Sequence, residues 1–181
     1  MNKSERKKSK IKTYIKGLLT IIFVAIIYNF IWKGYIVNPT ASDALKDEDG
    51  EVALLTDIAK GEVLAFNQLK NGYQVNSVSK GYLGWAITDM INISHPTTNP
   101  FKAREELLQF EGDKQLHLIL ITTNNKKVYK MVAIDKANNE IELGKIPGEQ
   151  SSLYYTYSTK PFSDTVTYKA YSKKGELLHR E

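Results

Sequence analysis

From Gly61 onward apolar and polar side chains alternate with a period of two, the signature of half-buried strands. Val63, Ala65, Asn67 and Leu69 alternate with Glu62, Leu64, Phe66 and Gln68. Lys70-Asn71-Gly72 reads as a hairpin turn, answered by Tyr73 to Val78, and Lys80-Gly81 leads into Tyr82 to Thr88. This predicts a three-stranded antiparallel meander. A second meander is predicted from Leu116, Leu118, Leu120 and Thr122, a turn at Thr123 to Lys126, and Val128, Lys130, Val132 and Ile134 alternating with Tyr129, Met131 and Ala133. Asn138-Asn139 then turns into Ile141 to Ile146. The two units share one order of strands and turns, which either a duplication or any meander produces. A last hairpin is expected from Leu153 to Ser158 and Thr165 to Tyr171. Lys173-Lys174-Gly175 then turns into an edge strand, Glu176 to His179.

Two stretches follow a helical spacing instead. Leu45, Val52, Leu55 and Ile58 approximate a stripe between Thr40 and Lys60, with Thr40 or Ser42 as cap and Gly50 as a break. Asn99-Pro100 looks like a helix start, running through Arg104, Leu107, Leu108 and Phe110 to a stop at Gly112.

The remaining pattern is a run with no polarity to alternate. GLLTIIFVAIIYNFIW, Gly17 to Trp32, is uncharged over 16 residues. As a helix it spans about 24 Å against a hydrocarbon core of about 30 Å. Lys16 and Lys33 can snorkel to the interfaces, and Tyr28, Trp32 and Tyr35 suit the headgroup level. The expectation is one membrane-spanning helix.

Charge orients it. Residues 1 to 16 carry seven Lys/Arg and one acid, net +6. The whole chain has 25 basic and 20 acidic residues, so residues 17 to 181 hold 18 and 19, net −1. A basic flank ahead of an apolar run puts the N-terminus in the cytoplasm and the rest outside. The near-neutral remainder excludes a nucleic-acid partner. Cleavage as a signal peptide is disfavoured by Tyr28, Phe30, Trp32 and Tyr35, which stand where small residues are needed. With no cysteine there is neither a disulfide framework nor a lipidated thiol.

The expected organisation is a cytoplasmic flank over 1–16, a transmembrane helix and aromatic interface over 17–37, a helical neck over 38–60 and a β domain over 61–181. The fold class is mainly β (α+β): a single N-terminal transmembrane helix, then an extracytoplasmic antiparallel meander of sandwich type with one or two short helices.

Candidate chemistry is sparse. His95, His117 and His179 are too scattered for a metal signature. Asp47-Glu48-Asp49-Gly50-Glu51 fails as a calcium loop, because Leu45 and Thr56 would fall at its first and twelfth positions. No nucleophile elbow, phosphate loop or dinucleotide fingerprint occurs. Glu105-Glu106, adjacent on an expected helix, would diverge and form no acid–base pair. The tyrosines stand out: Tyr154, Tyr155, Tyr157, Tyr168 and Tyr171 lie on both alternating faces of the expected last hairpin, so one set must be outward and forms the candidate binding surface. No catalytic, metal or cofactor residue is assigned.

Lys80-Gly81-Tyr82-Leu83-Gly84-Trp85, the strand from Gly61 to Phe66, and the closing Val166-Thr167-Tyr168-Lys169-Ala170-Tyr171-Ser172-Lys173-Lys174-Gly175 together resemble a family of small exported or membrane-anchored β-rich proteins of Bacillus and relatives. The resemblance covers most of residues 55 to 181. It implies location and architecture, carries over no catalytic residue, and makes Gly81, Gly84 and Trp85 structural. The functional expectation is a non-catalytic binding module at the cell envelope, taking a protein, a peptide or wall polymer. The alternative is an accessory subunit of a membrane complex, with Gly17, Thr20, Ala25 and Asn29 as its helix contact. An envelope hydrolase is the least favoured reading.

Overall fold

The computed structural model describes residues 3–31, 38–46, 48–82, 84–97, 100–136, 138–162 and 166–180; within its first helix it describes the side chains of 14–28. Two helices precede a β domain. Helix α1 is Lys3–Ile31 and α2 is Ala41–Ala44. The strands are β1 (Glu51–Ala59), β2 (Glu62–Leu69), β3 (Gly72–Gly81), β4 (Gly84–Ser94), β5 (Phe101–Gln109), β6 (Gln115–Thr123), β7 (Lys130–Ile134), β8 (Glu140–Glu142), β9 (Gly144–Ile146), β10 (Ser152–Ser158), β11 (Thr167–Tyr171) and β12 (Leu177–Arg180).

They make three antiparallel four-stranded sheets. The first has order β1-β2-β3-β4, the middle β5-β6-β10-β9 and the third β12-β11-β7-β8. One core joins the first and middle sheets: Leu64, Phe66, Tyr73 and Val75 meet Leu108, Leu116, Leu118, Leu120 and Leu153. A second joins the middle and third: Phe101, Ile119, Ile121 and Tyr154 meet Val128, Met131, Ala133 and Ala170. A third lies on the outer face of the first sheet, where Ala41 and Leu45 cover Val63, Ala65 and Val78. The middle sheet is thus buried on both faces. That is why β6 reads as a nearly unbroken apolar run, with its even positions in one core and its odd ones in the other.

The mainly β class and the first meander stand, the latter with β1 as a fourth strand. Several expectations are corrected. The stretch 38–60 is no helical neck. Thr40 caps α2 with a capping box to Asp43, but α2 lasts four residues. Residues 51–59 are β1, in which Val52, Leu54, Thr56 and Ile58 are half-buried between exposed neighbours; the spacing Val52, Leu55, Ile58 coincides with a helical stripe by chance. Residues 101–109 are also a strand. Ala, Arg, Glu, Leu and Gln favour helix, yet the ladder from Phe101↔Thr123 to Gln109↔Gln115 outweighs that propensity. Gly112, at φ 76°, and Asp113, at φ 62°, form the turn between β5 and β6.

The second meander is divided. β6 pairs with β5 and β10, whereas β7 pairs with β8 and β11. The segment Ile141 to Ile146 is likewise two strands, and the chain passes from the third sheet to the middle one at Leu143. The two meanders therefore differ in topology. The last hairpin is also absent: β10 pairs with β6 and β9, and β11 with β7 and β12. The edge strand β12 is where the pattern put it, after the turn at Gly175.

At the N-terminus the basic flank and the apolar run to Ile31 share one helix, α1; Trp32 to Val37 lie outside the described residues. Among the described residues no helix is long and apolar enough to cross a membrane, so the expected spanning helix has no support from the fold itself.

Candidate functional site

A cleft lined mainly by polar side chains lies at one end of the sandwich of the first and middle sheets. It has a volume of about 360 Å³ and is lined by Glu51, Gln68, Leu69, Lys70, His95, Glu149 and Gln150. Four chain segments supply these residues: the start of β1, the β2–β3 hairpin, the residue after β4, and the loop before β10. Local sequence explains the hairpin. Lys70-Asn71 is a two-residue turn closed by Leu69↔Gly72, and Gly72 sits at φ 156°, where a Cβ would strike the Ile93 carbonyl. The Asn71 carbonyl accepts from the His95 amide at 3.1 Å, which ties the end of β4 to the turn.

Under the cleft the polar groups are bonded to one another. The Tyr73 hydroxyl donates to the Ser151 carbonyl at 2.5 Å. His95 Nδ1 and Ser151 Oγ are 2.6 Å apart. The Tyr73 and His95 rings meet edge to face at 6.0 Å. Gly148 lies against the same junction, and a side chain there would collide with the Tyr73 hydroxyl and the Ser151 carbonyl. Burial pushes the Tyr73 phenol above its usual pKa, opposed by its bonds to Ser151 and Leu153. Ser151 is 3% exposed. A serine beside a histidine suggests nucleophilic chemistry, but this hydroxyl is walled in. The pair pins the loop before β10 and leaves Glu51, Lys70, Glu149 and Gln150 exposed at the rim.

The tyrosines of the candidate surface do not come together. Tyr154 is fully buried in the core between the middle and third sheets. Its hydroxyl donates to the Val128 carbonyl at 2.9 Å, Lys145 Nζ stands 5.3 Å from its ring, and burial pushes its phenol up to about 12. Tyr155 points the other way, packing on Phe66 at 4.5 Å between ring centroids and filling the space beside Gly144. Tyr168 packs half-buried on the second core and bonds Glu105 at 3.4 Å. Tyr171, also half-buried, pairs with Lys130 in the ladder of the third sheet. Of the five only Tyr157 counts as exposed, at 38%. Tyr154 is accordingly removed from the candidate surface, and the others form no continuous patch.

Gly81 and Gly84 close the β3–β4 hairpin opposite each other, with Gly84 at φ 121°. Trp85 is half-buried on the outer face of the first sheet, packing on the core that α2 covers. Glu105 and Glu106 lie on a strand and point to opposite faces, so they do not converge. Among the described residues no group of three or more His, Asp or Glu side chains is placed to hold a metal. Asp47 of the acidic loop lies outside the described residues. Of the small-residue stripe on α1, Thr20 donates its hydroxyl to the Lys16 carbonyl at 2.9 Å, and the side chain of Asn29 lies outside the described residues.

The cleft escaped the sequence because its residues are drawn from four distant segments. Two local signals marked its walls, the turn dipeptides Asn71-Gly72 and Pro147-Gly148. No family model, curated protein or solved structure matches the chain.

Proposed function

We propose that the protein is a single-pass, membrane-tethered binding module with its N-terminus in the cytoplasm and its β domain outside the cell. We assign the tether to α1 on its exposed apolar stretch and its basic flank, not on its length. Leu18, Leu19, Ile21, Ile22, Phe23, Val24, Ile26 and Ile27 point all round the helix and are each 41–68% exposed, and none of the three cores includes any of the α1 side chains described, those of 14–28. A helical stretch apolar on every side belongs in a large core or a bilayer, and the net +6 flank that shares the helix orients it. The resemblance to exported Bacillus proteins agrees with this location.

The end cleft is the observation that carries the binding role. Glu51 and Glu149 offer carboxylates, Lys70 an ammonium, and Gln68 and Gln150 amides, all on one rim. Such a set suits a ligand bearing both amine and carboxylate groups, as the peptide portions of wall polymer do. With Ser151 buried beneath the rim, the cleft holds its ligand without transforming it.

The test is co-sedimentation of the full chain, in detergent micelles, with purified insoluble wall polymer. The wild-type protein sediments with the polymer. A Glu51→Gln, Glu149→Gln double variant loses about tenfold in affinity with an unchanged melting temperature. Equal sedimentation of both proteins, or of neither, excludes this role for the cleft. Release of soluble wall fragments by the wild-type protein makes it a hydrolase instead.

A further inference from the structure

We infer that the tip of the β3–β4 hairpin is a second membrane contact, seated in the headgroup layer beside the point where the tether enters the domain. This rests on the membrane-tethered reading above. Asn38, the first described residue after α1, sits at the tip: the Trp85 amide donates to the Asn38 carbonyl at 3.1 Å, and Trp85 pairs with Lys80 at the mouth of the hairpin. α2 then packs behind it, on Val78, Trp85 and Ile87. The entry point is therefore built into the first sheet and does not swing free of it.

Distance limits where that point can be. Tyr35, an aromatic suited to headgroup level, is three residues before Asn38. At no more than about 3.6 Å per residue, Asn38 lies within about 11 Å of that level.

The tip has the composition of an interfacial anchor. Tyr82 is 99% exposed, the most exposed large apolar or aromatic side chain among the described residues. Lys80 is exposed beside it, and the Lys80 amide donates to the Gly61 carbonyl at 2.8 Å, which brings up the exposed Lys60 from the neighbouring turn. Carboxylates are also near: that of Glu111 faces Gly81, and that of Glu62, next to Gly61 and cross-strand from Ser79, is paired with Lys114. An aromatic ring with ammonium groups around it fits an anionic lipid surface.

The opposite end of the same strands carries the cleft. Strands β2, β3 and β4 have 8, 10 and 11 residues, so at about 3.3 Å per residue the cleft stands about 30 Å from the tip. A domain held by both tether and tip presents its cleft away from the membrane.

The chain has no cysteine, so one introduced thiol gives a clean reporter. Full-length Tyr82→Cys and, as a control on the third sheet, full-length Tyr129→Cys are labelled with an environment-sensitive fluorophore. Each is reconstituted in vesicles of equal parts phosphatidylglycerol and phosphatidylcholine. The label at 82 shifts to the blue and is quenched by headgroup-proximal spin-labelled lipid, while the label at 129 keeps its emission in water. If neither label responds although the protein resists alkaline extraction, the tip proposal is overturned and the tether stands. If both respond alike, the contact is not specific to the tip and the proposal is equally overturned. If alkaline wash strips the protein from the vesicles, the tether fails and the tip proposal falls with it.

Discussion

Tyr73 and Ser151 join the first and middle sheets through one hydrogen bond, from the phenol to the backbone carbonyl, at 2.5 Å beneath the end cleft. Tyr73 is wholly buried. Tyr73→Phe leaves that carbonyl without its donor and costs about 1–3 kcal/mol. Gly148→Ala drives a methyl group into the same junction and costs about 1–3 kcal/mol by overpacking. Urea unfolding of each variant measures both, and unchanged midpoints refute the junction.

Leu107 and Leu108 discriminate a strand from a helix over 101–109. Leu108 is fully buried between the first and middle sheets, and Leu107 is 39% exposed on the other face. Leu108→Ala is expected to cost about 2–5 kcal/mol, and Leu107→Ala less than about 1 kcal/mol. Comparable losses at both positions contradict the strand.

Tyr154 makes the domain sensitive to alkali. Its phenol titrates near 10 when unfolded and at about 12 in the fold. A raised folded value means that its contribution is complete below pH 10 and is lost as pH rises from 10 through 12. Tyr154→Phe costs little at neutral pH, because the Val128 carbonyl keeps the Lys145 ammonium as donor at 3.0 Å. Between pH 10 and 12 the wild-type protein loses stability more steeply than the variant. Parallel curves from chemical unfolding at several pH values would rule this out. Tyr73 titrates high in both proteins and leaves the difference unaffected.

Asn67 is wholly buried on the outer face of the first sheet, and neither atom of its amide has a hydrogen-bond partner. Gln74, its cross-strand neighbour, bonds Asn76 and Glu48 instead. Replacing an unpartnered amide by an apolar group of the same shape removes a desolvation cost. Asn67→Leu therefore raises the melting temperature, with a gain of about 1 kcal/mol. A drop in calorimetric melting temperature would show that the amide is satisfied in solution.

The strands from Glu62 to Val78 were legible because a buried face alternates with a polar or differently buried one. The turns at Asn71-Gly72, Gly84 and Gly175 were legible because glycine relieves a positive φ, whereas Gly112, expected to stop a helix, turns β5 into β6. Thr40 was one of two caps offered by the sequence, with Ser42, and the fold selects it, but the length of α2 was not legible. Residues 51–59 and 101–109 misled because their spacing and propensities are local quantities, and the ladders that make them strands are not.

By itself, then, the sequence determined three of the four strands of the first sheet, β2 to β4, the edge strand, the charge asymmetry about the apolar run and the alternation of Tyr154 and Tyr155. Only the tertiary structure decided which sheet each strand joined, that Tyr154 and Tyr155 both face cores, and that Glu51, Lys70, His95 and Glu149 share a cleft. A period of two states which side chains lie on the same side of one strand. What covers that side is settled by pairing between segments far apart in the chain, which carries no mark in the local sequence.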